Sequence, residues 1–131
     1  MYPENSIIVF GYSFGAGPAA RLAADNQPKM LVLQAPYYSM IELGKQQYPF
    51  LSRILPSSLF KYPLKTYESV EKTRAPIVIF HGREDSTINI KESYLLKKEF
   101  KPQDTLIVFE GQGHNYFQNN PEYLMELKRI F

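Results

Sequence analysis

The chain has 131 residues, enough for one domain with a single core and too few for two ordinary domains. Its 44% apolar, 15% aromatic and 21% charged residues are typical of a soluble globular protein, and a net charge of +2 on interspersed basic and acidic residues argues against nucleic acid as a partner. The absence of cysteine excludes disulfides and thiolate chemistry, and two histidines leave little for a zinc site, so we expect no metal or organic cofactor.

Four short runs of β-branched, apolar and aromatic residues predict strands that are buried on both faces. They cover residues 6–10, 30–34, 76–81 and 105–109. Such runs are typical of a parallel sheet whose two faces are both covered by helices.

Segments of helical composition follow the first, third and fourth of these runs, at residues 16–25, 91–100 and 121–131. Asn89 and Glu92 have the spacing of a capping box for the second segment, and Asn120 before Pro121 suits the start of the third. Because strands alternate with helices, we predict an α/β fold with a mostly parallel sheet and crossover helices.

Residues 37–74 interrupt this alternation with several prolines and no clear strand. We predict one domain over residues 1–131, with 37–74 as a cap-like insertion. Its large apolar side chains would either wall an acyl or aromatic pocket above Ser13 or pack the insertion onto the sheet. They are Tyr37, Tyr38, Tyr48, Phe50, Leu51, Ile54, Leu55, Leu59, Phe60 and Tyr62.

The sequence also bears on location. No apolar run reaches the roughly 20 residues that span a bilayer, and the N-terminus lacks a basic segment followed by a long apolar stretch. We therefore predict a cytoplasmic protein. Interspersed basic residues in the insertion also allow contact with a membrane surface. These are Lys45, Arg53, Lys61 and Lys65.

The sequence GYSFG places Ser13 at a sharp corner between a predicted strand and a predicted helix. A reversal this tight strains the serine backbone, and side chains at Gly11 and Gly15 are expected to collide. The serine is then pushed outward with its hydroxyl near a helix N-terminus, where the N–H of Phe14 is positioned to stabilise an oxyanion. The corner predicts a catalytic nucleophile; a phosphate-binding serine in a loop is the alternative.

A serine hydroxyl needs a base, and that base needs an acid to orient it. His114 follows the last predicted strand and Asp85 the third, so both lie at the strand ends where Ser13 also lies. Glu84 is the nearest rival acid, with Asp104 and Glu110 less suitably placed. His81 ends a buried strand, and we predict a structural role for it.

These motifs together resemble the α/β-hydrolase superfamily, in particular its small serine hydrolases with acyl-esterase and protein depalmitoylase relatives. The similar segments are GYSFGAGPAA, LVLQAPYYSM, PIVIFHGREDSTI, GQGHNYF and PEYLMELKRIF. The resemblance implies a nucleophile elbow at Ser13 with the chain order nucleophile, acid, base, which assigns Asp85 as the acid and His114 as the base. The segment TINI lacks the proline that many relatives carry there.

The resemblance covers the C-terminal half of such a hydrolase, so the fold is expected to lack the N-terminal strands. It implies a second oxyanion donor on a loop that this sequence does not contain. Losing one such donor typically costs about 10²- to 10³-fold in turnover. The 131 residues alone are therefore expected to have weak or no activity.

The topology has a consequence for association. Right-handed crossovers between strands in sequence order put the connecting helices on one face, which leaves only the helix over residues 121–131 for the other. The first strand would be an unpaired apolar edge. We therefore expect self-association, a missing N-terminal segment or another protein to cover it.

The sequence thus predicts a serine hydrolase that cleaves a carboxylic ester, thioester or amide of a small-molecule or acylated substrate through an acyl-enzyme. A non-catalytic half-hydrolase that serves binding or assembly is the alternative.

Overall fold

The sheet in this computed structural model, which describes residues 1–47 and 65–131, has four strands in chain order. They are β1 (Ile8–Tyr12), β2 (Met30–Gln34), β3 (Ile77–Gly82) and β4 (Thr105–Phe109). The helices of the described residues are α1 (Ala16–Ala24), α2 (Met40–Gln47), α3 (Thr66–Lys72), α4 (Lys91–Lys97) and α5 (Pro121–Ile130).

All neighbouring strands pair in parallel, in the spatial order β1-β2-β3-β4. Val32 in β2 lies opposite Phe10 in β1 on one side and Val78 in β3 on the other. The predicted parallel sheet is confirmed. All four strands therefore present their carboxyl ends at one edge of the sheet, which is where functional side chains of open α/β sheets gather.

The first strand lies two residues further along the chain than predicted. Residues Glu4–Ser6 form a 3-10 turn in which the Ser6 hydroxyl donates to the Pro3 carbonyl at 2.7 Å, so β1 starts only at Ile8. It then continues through Gly11 to Tyr12. The strand consequently delivers its last residue directly to the corner at Ser13.

The helices divide between the two faces of the sheet as the right-handed crossovers require. One core cluster joins α1, α3 and α4 to one face through alanines of α1, Val70 and Leu96. The other joins α5 to the opposite face, where Tyr123 packs edge-on against Phe80 and Phe109. Both faces of β2 are buried as a result, whereas Phe10 of β1 is exposed on the α5 side.

One predicted helix cap is confirmed and the other is wrong. The Asn120 side chain accepts hydrogen bonds from the N–H groups of Glu122 and Tyr123, which starts α5 as predicted. Asn89 does accept from the Lys91 N–H, but Glu92 does not return to close a capping box. Its carboxylate is buried and lies 3.5 Å from the Tyr38 N–H, because that position of α4 faces the core.

The described part of the predicted insertion contains α2 and α3. Tyr37 is fully buried with Leu43 and Ile88, and Tyr38 stacks on Tyr67 with ring centroids 4.4 Å apart. The other apolar residues predicted to wall a pocket lie outside the described residues, as do Arg53 and Lys61. The division of the chain at residues 37–74 stays a prediction. Of the helices described, none is both long and apolar enough to cross a bilayer.

Candidate active site

The corner after β1 holds Ser13 in a left-handed backbone conformation, with φ at 55°. A non-glycine residue rarely adopts this conformation, and its strain is typical of functional sites. The residue is only 8% exposed, and a 3-10 turn over Ser13–Gly15 leads directly into α1. The predicted strand-to-helix corner is therefore present, and it presents the serine at the carboxyl end of β1.

The two glycines of the corner are not equivalent. A Cβ on Gly11 would lie 2.5 Å from the Ala19 Cβ, 2.7 Å from the Gly15 carbonyl oxygen and 2.9 Å from the Ala16 Cα. A Cβ on Gly15 would have no described atom within 4 Å. The expectation that a side chain at Gly15 collides is wrong, because this residue lies on the open side of the turn in ordinary helical conformation. Only Gly11 is required by the close approach of α1.

Ser13, His114 and Asp85 form a continuous chain of hydrogen bonds although they lie far apart in the sequence. The Ser13 Oγ is 3.0 Å from the His114 Nε2, and the His114 Nδ1 is 2.7 Å from the Asp85 Oδ2. Because a carboxylate only accepts, Nδ1 carries the proton and Nε2 offers its lone pair to the serine hydroxyl. This is the geometry in which a serine can be deprotonated as it attacks.

Asp85 is held in a fixed orientation by the turn that follows it. Its Oδ1 accepts hydrogen bonds from the N–H groups of Thr87 (2.9 Å) and Ile88 (2.8 Å), and the residue is 5% exposed. Burial raises the pKa of the Asp85 carboxyl, but hydrogen bonds from His81, His114 and the Ile88 N–H outweigh it and hold the pKa below its ordinary value. The carboxylate is therefore ionised at neutral pH.

His81 lies behind this carboxylate, fully buried at the end of β3. Its Nε2 donates to the Ile88 carbonyl at 2.8 Å and lies 3.4 Å from the Asp85 Oδ2, so Nδ1 accepts from the Ser93 hydroxyl at 2.6 Å. These contacts fit the structural role predicted from the sequence. They also bring His81 closer to the site than its position in a buried strand suggested.

The loop that carries His114 packs tightly against the end of β3. A Cβ on Gly82 would lie 2.2 Å from the Gln112 carbonyl oxygen, and the Glu84 N–H donates to that same oxygen at 2.9 Å. The buried Gln112 side chain donates to the carbonyls of Gly113 and Asn115 and accepts from Asn120. Neither Gly82 nor Gln112 was singled out from the sequence, since neither belongs to a chemical motif.

Tyr12, the residue before the serine, was also missed. Its hydroxyl donates to the His114 carbonyl oxygen at 2.6 Å, and its ring stacks on the imidazole with centroids 5.4 Å apart. The only sequence signal was its position in the GYSFG corner. A side chain at this point emerges from the sheet edge toward the loops of the neighbouring strands.

Phe14 follows the serine in the first turn of the helical segment, where N–H groups have no partner within the helix. The Tyr37 hydroxyl donates to the Phe14 carbonyl at 3.2 Å, which anchors the corner to the first residues of the insertion. The Phe14 side chain is 57% exposed above the site. The position fits the predicted oxyanion donor, and that role stays a prediction.

The rival acids lie elsewhere. Glu84 is exposed, and Glu110 pairs with Arg83 on the surface at 2.9 Å. Asp104 accepts from the N–H groups of Ile77 and Lys101, which ties the start of β4 to β3. Across residues 1–47 and 65–131, no group of three or more His, Asp or Glu side chains is arranged to hold a metal ion.

Comparison with known families gives a match over nearly the whole chain. Residues 2–128 match the dienelactone hydrolase family. An uncharacterized protein of Mycobacterium tuberculosis is 33% identical over 120 residues, which are 90% of this chain and 40% of that protein. The human alpha/beta hydrolase domain-containing protein 17B is 29% identical over 129 residues, or 98% of this chain and 42% of that protein. The chain thus spans about two fifths of the length of these relatives.

Solved structures share the fold at low sequence identity. An esterase of Pyrococcus furiosus superposes with a TM-score of 0.74 at 19% identity, over 96% of this chain and 52% of that one. An esterase domain of a Rhodothermus marinus protein gives 0.67 at 12% identity, over 94% and 56%. The four-stranded sheet described here is therefore part of an α/β-hydrolase fold.

Proposed function

Because the chain belongs to the dienelactone hydrolase family within the α/β-hydrolases, we propose that it is a serine hydrolase acting on carboxylic esters, thioesters or amides. The observation that carries the proposal is the pair of contacts that joins Ser13 to His114 and His114 to Asp85, at 3.0 and 2.7 Å. The proposed substrate is a small or acylated molecule, and no cofactor takes part.

The proposed reaction proceeds through an acyl-enzyme. The Ser13 Oγ attacks the carbonyl carbon while the His114 Nε2 takes its proton, and the Phe14 N–H donates to the oxyanion that forms. His114 then protonates the leaving alcohol, thiol or amine as the bond to the carbonyl carbon breaks. A water molecule, deprotonated by the same imidazole, hydrolyses the acyl-serine and restores the hydroxyl.

Asp85 supports both halves of this cycle. Its carboxylate holds the imidazole with Nδ1 protonated and stabilises the imidazolium that forms when Nε2 takes the serine proton. The resemblance assigns a second oxyanion donor to a loop that this sequence does not contain. Since one donor is worth about 10²- to 10³-fold, we propose that these 131 residues alone turn over slowly or not at all.

Acylation by an activated ester tests the proposal. The protein is mixed with p-nitrophenyl acetate or p-nitrophenyl octanoate, and nitrophenolate release is followed together with the acyl mass on the peptide that contains Ser13. We expect a burst and an acylated peptide even where turnover is slow. Ser13→Ala, matched by Ser6→Ala at a surface serine, should abolish both signals. Equal release by the wild type and Ser13→Ala would contradict the proposal.

The edge of the sheet supports the alternative function, an assembly module. Within the part of the chain that the structure describes, β1 pairs with β2 alone; Phe10 on it is 41% exposed, and Ile7, just before it, is 44% exposed. An apolar unpaired edge favours strand-to-strand association, here with a second copy of the chain. Light scattering at high protein concentration should then give a dimer that Phe10→Lys dissociates. A wild-type monomer would contradict the association. Cytoplasmic location and membrane contact remain predictions.

A further inference from the structure

The residue before the nucleophile contacts the base through both its hydroxyl and its ring. The Tyr12 Oη is 2.6 Å from the His114 carbonyl oxygen and 2.9 Å from the Asn115 Oδ1. The two rings stack with an interplanar angle of 28°. Burial and the negative charge of Asp85 raise the pKa of the Tyr12 hydroxyl, so it remains a donor.

These contacts link a residue of a strand to a residue of a loop. Tyr12 is the last residue of β1 and is held by the sheet in register with Gln34 of β2. His114 belongs to the irregular segment between β4 and α5. Since loops are generally more mobile than the strands they connect, the distance from Nε2 to the serine Oγ depends on what fixes this segment.

We propose that Tyr12 is a positioning residue for His114, an inference that rests on the serine-hydrolase function proposed above. Tyr12 and Ser13 are consecutive, so one turn carries the nucleophile and also holds the base that activates it. The hydroxyl fixes the backbone of His114, and the ring limits rotation of the imidazole. The face of the tyrosine ring is also electronegative, which favours the imidazolium formed during acyl transfer.

The test separates the hydroxyl from the ring. Tyr12→Phe removes the hydrogen bond and keeps the stacking, whereas Tyr12→Leu removes both. Tyr94 provides the matched control, because it is 41% exposed against 38% for Tyr12 and its hydroxyl accepts one surface hydrogen bond, from Arg83 at 3.0 Å. Tyr94→Phe and Tyr94→Leu report the general effect of the same substitutions.

The first measurement is the rate at which a fluorophosphonate labels Ser13. Small misplacements at a reacting centre can cost about 10²-fold, so we expect labelling to slow about 3- to 10-fold in Tyr12→Phe and about 10- to 100-fold in Tyr12→Leu. Both Tyr94 variants should stay within about 2-fold of the wild type, since they leave the base in place. Wild-type rates in both Tyr12 variants would overturn the proposal. If Tyr12→Leu fails to fold, Tyr12→Phe alone decides.

The second measurement does not depend on reactivity. Two-bond ¹H–¹⁵N correlation spectra report which nitrogen of each imidazole is protonated, and the chain has only two histidines. His114 should be a single Nδ1–H tautomer in the wild type and a mixture in Tyr12→Leu, but not in Tyr94→Leu. An unlabelled wild type with this pattern would refute the hydrolase function and leave the positioning role standing. A mixture already in the wild type, or a single tautomer in Tyr12→Leu, would overturn the positioning role.

Discussion

The two glycines of the GYSFG corner give a prediction with a built-in control, because each substitution adds one methyl group. Gly11→Ala places a Cβ within 3 Å of three atoms, two of them backbone atoms of Gly15 and Ala16 that cannot rotate away. Overpacking costs about 1–3 kcal/mol, and we expect about 3 kcal/mol here because the neighbours are rigid.

Gly15→Ala should instead raise the free energy of unfolding. Its φ of −72° and ψ of −11° suit alanine, and the added Cβ meets no described atom within 4 Å. Reduced freedom of the unfolded chain then stabilises the protein by about 0.4–1 kcal/mol. The free energies of unfolding of the two variants should differ by about 3–4 kcal/mol.

Urea unfolding followed by circular dichroism measures both values in the same buffer. The m-values should be unchanged, so that the shift in midpoint reports the change in the free energy of unfolding. Two variants of equal stability, or Gly11→Ala within about 0.5 kcal/mol of the wild type, would refute the steric argument; changes that small are typical of surface positions.

Four further predictions concern Gly82, Asp85 and Glu92. Gly82→Ala places a Cβ 2.2 Å from the Gln112 carbonyl oxygen in the loop that carries His114, and it should slow fluorophosphonate labelling of Ser13 at least about 10-fold. In Gly113→Ala the nearest atom to the added Cβ is 3.9 Å away, so Ser13 should be labelled at the wild-type rate. Asp85→Asn should slow labelling about 10³- to 10⁴-fold, because an amide imposes the wrong imidazole tautomer. Because its pKa is depressed, the Asp85 carboxylate stabilises the fold above the ordinary aspartate pKa of about 3.9. The difference in unfolding free energy between the wild type and Asp85→Asn should therefore shrink as pH falls through the folded pKa. A difference that stays constant with pH would contradict this. Burial raises the pKa of Glu92, so its ionisation destabilises the fold as pH rises from the ordinary glutamate value of about 4.3 through the folded pKa. Glu92→Gln should therefore be more stable than the wild type at pH 8 and should lose that gain in acid, as measured by urea midpoints.

The sheet and the three candidate catalytic residues were predictable because their signals are local. β2 and β4 each contain four consecutive apolar residues, and Ser13, Asp85 and His114 each follow a strand, so parallel topology alone brings them to one edge. The predicted end of β1 is too early because Gly11 is disfavoured in strands, whereas the strand continues through it to Tyr12.

The features that were missed depend on packing between distant segments. Whether Gly15 must be glycine is decided by where α1 passes, and this helix crowds Gly11 alone. Glu92 has the spacing of a cap, yet it faces the core because its position on α4 points toward Tyr38. Tyr12 meets His114 across 102 residues, and no pattern within one segment encodes such a contact.

The most direct test of the central claim is where a fluorophosphonate reacts on the folded chain. Peptide mapping by mass spectrometry should place the adduct on Ser13, and the adduct should be lost in Ser13→Ala and greatly reduced in His114→Ala. A well-folded protein that forms no adduct, or that is modified equally well after His114→Ala, would contradict the claim that these side chains make the serine reactive.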